Sequence, residues 1–181
     1  MNAVALLEKY FVRNRISFEI VLEHSRMVAD KALLVARRQR NTEQELQFIE
    51  EAALLHDIGV SRTHAPKISC YGNEPYIRHG VLGRELLDAE GLPAHALVCE
   101  RHIGVGLTVQ DIVEQQLSLP ERNMEPVTMA ERIICFADLF YSKRLGIIHC
   151  EKTVEQVRKN LLKHGEQKIA LFEKWLEEFS G

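Results

Sequence analysis

The chain is poor in cysteine and proline, with four and five in 181 residues, and it carries little excess of either charge. Cys70, Cys99, Cys135 and Cys150 lie far apart with no CxxC pair. A chain of this length needs no disulfide staple, so reduced and mostly buried thiols are expected. The formal net charge of -3 provides no broad positive field, so bulk electrostatics give no strong signal for nucleic acid or an anionic membrane surface. No segment, including the N-terminal MNAVALLEKYFVRNR, approaches the roughly 20 consecutive apolar residues that a membrane span needs. The expectation is a cytoplasmic protein without a membrane partner. Period-two alternation is also absent over any useful length, which removes a β-sandwich or barrel. No repeat, low-complexity stretch or linker divides the chain, and a single domain over residues 1–181 is expected.

What is present, almost everywhere, is helical spacing, and it indicates an all-α bundle of about seven to nine helices. Residues 3–12 read as a short amphipathic helix. Ser17 is placed as the cap of a long one reaching Arg38, with Ile20, Val21, His24, Met27, Val28, Ala32 and Val35 on one face. Thr42 and Glu45 form a capping box for a helix that runs through Ala52–Leu55 into His56-Asp57, where Gly59 is expected to stop it. Residues 61–75 read as a surface loop able to lie over a site. Pro75 is placed in the first turn of the next helix, whose His79, Leu82, Gly83 and Leu86 share a stripe before Gly91. Pro93 opens another that reaches His102, broken by Gly104 and Gly106. A short helix is expected near residues 109–116. Thr128 with Glu131 caps the helix of Ile133, Ile134, Ala137, Asp138 and Tyr141. Thr153 begins the last helical region, residues 150–180, which Gly165 divides. Its stripe of Leu171, Phe172, Trp175 and Phe179 serves as core or as a face for a homodimer.

These faces place His24, His56, His79, His102 and Asp138 inward, with Asp57 beside His56. Burying an ionised carboxylate in a helical core costs several kcal/mol unless a partner compensates it. A divalent cation is the strongest such partner. Imidazole with carboxylate suits one or two transition-metal ions such as Fe, Mn, Co, Ni or Zn, whereas all-oxygen sites suit Mg and Ca.

The order of these residues resembles the HD superfamily, and LLHDIG looks like the HDIG form of its signature. An early histidine, an HD pair and a distal aspartate match His24 in VLEHSRMVAD, His56-Asp57 in AALLHDIG and Asp138 in ICFADLFYSKR. The resemblance spans residues 17–145, with the helices of residues 150–180 packed on that core. It implies an HD-domain helical bundle, a metal held by His24, His56, Asp57 and Asp138, and hydrolysis of a phosphomonoester or phosphodiester. Binuclear branches of the superfamily add histidines after the HD pair, and His79 in YIRHGVLG and His102 in CERHIG match them. The resemblance thus implies a second ion on Asp57, His79 and His102; alternatively, the two histidines bind phosphate or act as acids. The pattern is similar to symmetrical diadenosine tetraphosphate hydrolases and, less closely, to cyclic di-GMP phosphodiesterases. It departs from both, since no lysine closely follows the HD pair and no GYP motif is present.

The catalytic set read from this pattern is Asp57, His79 and His102. Lys143, Arg144 and Arg78 are the cations expected to bind substrate, with Arg101 a weaker candidate, and the partner expected is a small phosphorylated molecule such as a nucleotide. His64 is read as an exposed loop histidine, with an approach to the site from a lid as its alternative, and Tyr71 and Tyr76 as loop packing, with stacking on a base or covering the pocket as theirs; His95, His149 and His164 lack matching context. Two other readings stay open: a di-iron oxygenase built on the same ligands, and a metal-binding signalling module without catalysis.

Overall fold

A computed structural model describes residues 1–12 and 14–179. Nine α-helices occur among them: α1 (Ala3–Tyr10), α2 (Arg15–Arg38), α3 (Glu43–Leu55), α4 (His79–Ala89), α5 (Pro93–Arg101), α6 (Val109–Glu114), α7 (Met129–Asp138), α8 (Val154–Leu161) and α9 (Glu166–Phe179). The class is all-α, as the spacing predicts. Among the described residues no helix is long and apolar enough to cross a membrane.

Four capping boxes set helix starts by local chemistry: Thr42 with Glu45, Thr108 with Asp111, Thr128 with Glu131, and Thr153 with Gln156. In each, a side-chain oxygen and a backbone N–H of the first turn satisfy each other. The start of α2 departs from expectation. Its cap is Asn14, whose side chain accepts from the Ser17 N–H at 3.1 Å. Ser17 is instead buried in the first turn and donates to the Ile68 carbonyl at 3.0 Å, tying α2 to the segment after Asp57.

Residues 61–75 are more ordered than the expected surface loop. Ile58–Arg62, Pro66–Ile68 and Tyr76–Arg78 form 3-10 turns, and β1 (Thr63–Ala65) lies centrally between antiparallel β2 (Cys70–Tyr71) and parallel β3 (Glu74–Pro75). Strands of two or three residues are too short to show alternation, which is why periodicity missed them. Pro75 ends β3 rather than opening a helix, and α4 begins at His79.

Gly59 has a different use from the one expected. The helix already ends at Leu55, and a Cβ at Gly59 would collide with the His79 carbonyl oxygen and the backbone nitrogen of Gly83. The missing side chain lets the turn after the His-Asp pair lie directly against α4.

Two apolar clusters make most of the core. One joins α2, α3, α7 and α9 through Val28, Ala32, Ile49, Ile133, Phe136, Phe172, Trp175 and Phe179. The other joins α1 to the start of α2, the end of α3 and helices α4 and α5 through Leu7, Val21, Leu55, Ile58, Leu87 and Ala96. Phe172, Trp175 and Phe179 are thus core within the chain, one of the two uses expected of that stripe, while Leu171 is half-buried. Cys70, Cys99 and Cys135 are buried and Cys150 is exposed, all as free thiols. His24 stands one turn from Val21 in one cluster and one turn from Val28 in the other, so a polar layer lies between them.

Candidate metal centre

Helix ends deliver most of this layer. His56 follows the last residue of α3, His79 opens α4, His102 follows α5 and Asp138 closes α7; His24 alone is mid-helix. Carbonyls of a helix's last turn lack intrahelical donors, and a 3-10 turn before a helix leaves similar acceptors. Three of the histidines use them. The His56 Nδ1 lies 2.6 Å from the Ala53 carbonyl, the His79 Nδ1 2.7 Å from that of Tyr76, and the His102 Nδ1 2.7 Å from that of Cys99. With Nδ1 turned to a carbonyl, each ring directs its Nε2 inward, as metal-binding histidines do when a carbonyl orients them.

These nitrogens meet around Asp57, which is fully buried. Its Oδ2 lies 3.3 Å from the His24 Nε2 and 3.0 Å from the His56 Nε2, while its Oδ1 lies 3.6 Å from the Nε2 of both His79 and His102. Each carboxylate oxygen thus faces one histidine pair. Asp138 joins the first group, its Oδ1 2.9 Å from His24 and 3.6 Å from His56. The His79 and His102 Nε2 atoms are 3.0 Å apart.

Although the atoms are close, the Nε2 atoms of His24 and His56 and both Asp57 oxygens are buried without a hydrogen bond of acceptable angle. Buried polar atoms left in this way are costly, and a shared cation satisfies several at once. The donor atoms of His24, His56 and Asp138 lie within 4.8 Å of one another, as do those of His56, Asp57 and His102. The residues therefore fit a divalent ion in number, chemistry and spacing.

The local field agrees. Burial alone would raise the Asp57 carboxyl, but His56, Lys143 and contacts from His102 and His24 hold it well below the ordinary aspartate range. Asp138 behaves likewise, with burial overcome by His24, His56 and Lys143. Burial disfavours charge on His56, yet the two carboxylates outweigh it and push its pKa up to about 10. That field favours positive charge, whether a proton or a metal ion. His79 goes the other way, pushed down to about 3 by burial and by His102 beside it, so its imidazole is neutral at physiological pH.

A cleft of about 870 Å³ reaches this centre, with His24, Asp138 and Lys143 among its lining residues. The structure brings all six sequence-derived ligand candidates together and treats the three expected substrate cations differently. Lys143 points inward, its Nζ 2.5 Å from the Asp57 Oδ2. Arg144 lines the cleft. Arg78 is not among the lining residues and lies 3.2 Å from Glu74. Arg101, also distant in role, pairs with Glu131 at 3.0 Å.

Sequence reasoning passed over Lys67 and Lys152 and ranked Tyr76, His64 and His164 low, yet all five line the cleft. Tyr76 also stacks on His79, with ring centroids 4.7 Å apart, so it does more than pack a loop. Lys67 sits in a 3-10 turn with no helical phase to assign its face, and His164 arrives from the C-terminal region, outside any local motif.

The sequence comparisons agree with this geometry. A protein of Methanocaldococcus jannaschii described as uncharacterized is 36% identical over 143 residues, covering 76% of this chain and 77% of that protein. A tRNA (cytidine(56)-2'-O)-methyltransferase of Thermoplasma volcanium is 28% identical over 166 residues, 90% of this chain and 44% of that protein. The enzyme of the same name from Picrophilus torridus is 31% identical over 93 residues, 51% of this chain and 24% of its own. This chain therefore spans less than half the length of either methyltransferase. No solved structure matches it. The HD domain family model matches residues 21–142, which contain every ligand candidate from His24 to Asp138, and the chain belongs to the HD domain family.

Proposed function

We propose that the protein is a metal-dependent phosphohydrolase acting on a phosphomonoester or phosphodiester of a nucleotide or similar small molecule. The observation that carries this reading is the division of Asp57, one oxygen toward His24 and His56 and the other toward His79 and His102. That arrangement supports one ion held by His24, His56, Asp57 and Asp138, and a second by Asp57, His79 and His102. Divalent ions so held would supply charge neutralisation at phosphoryl oxygens and an activated water.

The chain's own groups supply the rest. Asp57 keeps the two ligand groups in register. The Nδ1 bonds of His56, His79 and His102 fix ring orientation, so the Nε2 atoms are aimed before substrate arrives. Lys143, which lines the cleft beside Asp57, holds a phosphoryl oxygen and offsets charge that develops there. Arg144 adds a fork of donors farther out. His79, neutral by virtue of burial, is suited to binding a cation rather than carrying a proton.

The test is phosphate release from a panel of aryl phosphates and nucleotides by protein loaded with Mn, Fe, Co or Ni. Release only with metal present supports the reading. No release across the panel, with metal demonstrably bound, defeats it.

The methyltransferase matches favour a second reading in which the phosphate ester belongs to an RNA end. A region similar to 90% of this chain forms part of a longer protein named for tRNA modification. A 3′-phosphorylated oligonucleotide in the same panel tests this; turnover better than that of every free nucleotide would favour it.

A further inference from the structure

The cleft holds more positive charge than one phosphate needs. Lys67, Lys143, Arg144 and Lys152 line it, and Asp138 is its one carboxylate among the lining residues. Lys143 contacts Asp57 and belongs to the phosphate at the metal centre. The other three have no carboxylate within ion-pair distance among the described residues, although the whole chain is net negative. Lys152 is half-buried, and its ammonium is held by two carbonyls only, Leu139 at 2.9 Å and Tyr141 at 2.6 Å. A partly buried cation with dipoles but no counter-ion favours an anion arriving from outside.

The cations come from three separate places: the 3-10 turn Pro66–Ile68, the segment after α7, and the approach to α8. Apolar and aromatic surface completes the walls, with Ile68, Tyr76, Leu139, Tyr141, Val157 and Leu161 among the lining. A flat base or sugar can rest there between charged groups.

Taking as its basis the phosphohydrolase reading above, we infer that the substrate carries a second phosphate, apart from the one at the metal centre, held by Lys67, Arg144 and Lys152. A nucleoside with phosphates at two positions has this chemistry. It can be a free bisphosphate or the 3′-phosphorylated end of an RNA, where the next phosphodiester is the second anion.

The experiment compares binding of AMP, adenosine 3′,5′-bisphosphate and a 3′-phosphorylated trinucleotide to the metal-loaded protein by calorimetry, with phosphate release followed in the same samples. Where a ligand is hydrolysed, the ratio of kcat/KM replaces the ratio of affinities. A doubly charged site should favour at least one two-phosphate ligand by about ten-fold or more over AMP, a factor in keeping with added charge-assisted hydrogen bonds. The better of the two names the source. In the Lys67→Ala/Arg144→Ala double variant, both exposed positions, that ratio should fall to within about three-fold. The exposed Arg37→Ala, which removes one charge from the end of α2, should keep it. Equal binding of all three ligands, or a preference that survives the double substitution, overturns the inference. Preferential binding without any phosphate release would uphold it and count against hydrolysis.

Discussion

Lys143 Nζ lies 2.5 Å from the Oδ2 of Asp57, joining the segment after the last sequence-matched ligand to the His-Asp pair 86 positions earlier. Asp57 is fully buried, so much of its charge compensation comes from this ammonium and from the surrounding histidines. Lys143→Met should destabilise chelator-treated protein by about 2 to 3 kcal/mol, toward the low end for a broken buried pair because the histidines remain. Urea unfolding with and without Mn²⁺ checks this. The gap should narrow with metal, since a dication takes over the compensation of Asp57; identical curves in chelator would contradict the contact's role.

Ligation at His56 and Asp57 has a stability signature that needs no substrate. Metal at about 100 times its dissociation constant should stabilise the wild type by about 2.7 kcal/mol. His56→Ala and Asp57→Asn should lose most of that response, read as the shift in Tm on adding Mn²⁺. An undiminished shift in either variant would place the metal elsewhere.

Gly59→Ala puts a methyl group into the backbone of His79 and Gly83. Neither neighbour is a flexible side-chain end, so a cost of about 3 kcal/mol or more is expected, at the upper end for overpacking. Because the displaced carbonyl belongs to His79, the variant should also lose metal bound through His79 before metal bound through His24. Titration showing intact stoichiometry and an unchanged Tm would refute this.

The pH dependence of stability should carry a signature of the pair Asp111 and Lys168, 2.5 Å apart and buried between α6 and α9. Burial raises the Asp111 carboxyl, but Lys168 and the Thr108 contacts more than offset this and leave it below the ordinary value. A depressed folded-state pKa means stability fully present above about pH 4, the unfolded aspartate value, and lost as pH falls through the folded value. Asp111→Asn should therefore be less stable than wild type at pH 7, with the difference shrinking below about pH 4. Denaturant midpoints at pH 7 and pH 3 measure it; a constant gap would show that charge is not the source.

How much of this was legible in the sequence follows from what each signal depends on. The Thr42 and Thr128 boxes, the inward phase of His24 and the helical class rest on spacing within one or two turns, and the structure has them where the spacing puts them. The cap at Asn14, the short strands and the job of Gly59 depend on tertiary neighbours: Ile68 for Ser17, and α4 for Gly59. Local pattern carries no information about these. At the site, histidines and aspartates stood out because they are unusual on apolar faces. Lys67 and Lys152 did not, since lysines on turns are ordinary until a cleft forms around them.

The central structural reading is that Asp57 sits between two ligand groups. Its most direct test is crystallography of protein never exposed to chelator, with anomalous scattering collected at the edges of Mn, Fe, Co, Ni and Zn. Two peaks flanking the Asp57 carboxylate are expected, one beside His24, His56 and Asp138 and one beside His79 and His102, with the second absent in His79→Ala. A single peak contacting His24, His56 and Asp138 alone, with His79 and His102 free of metal, would contradict it.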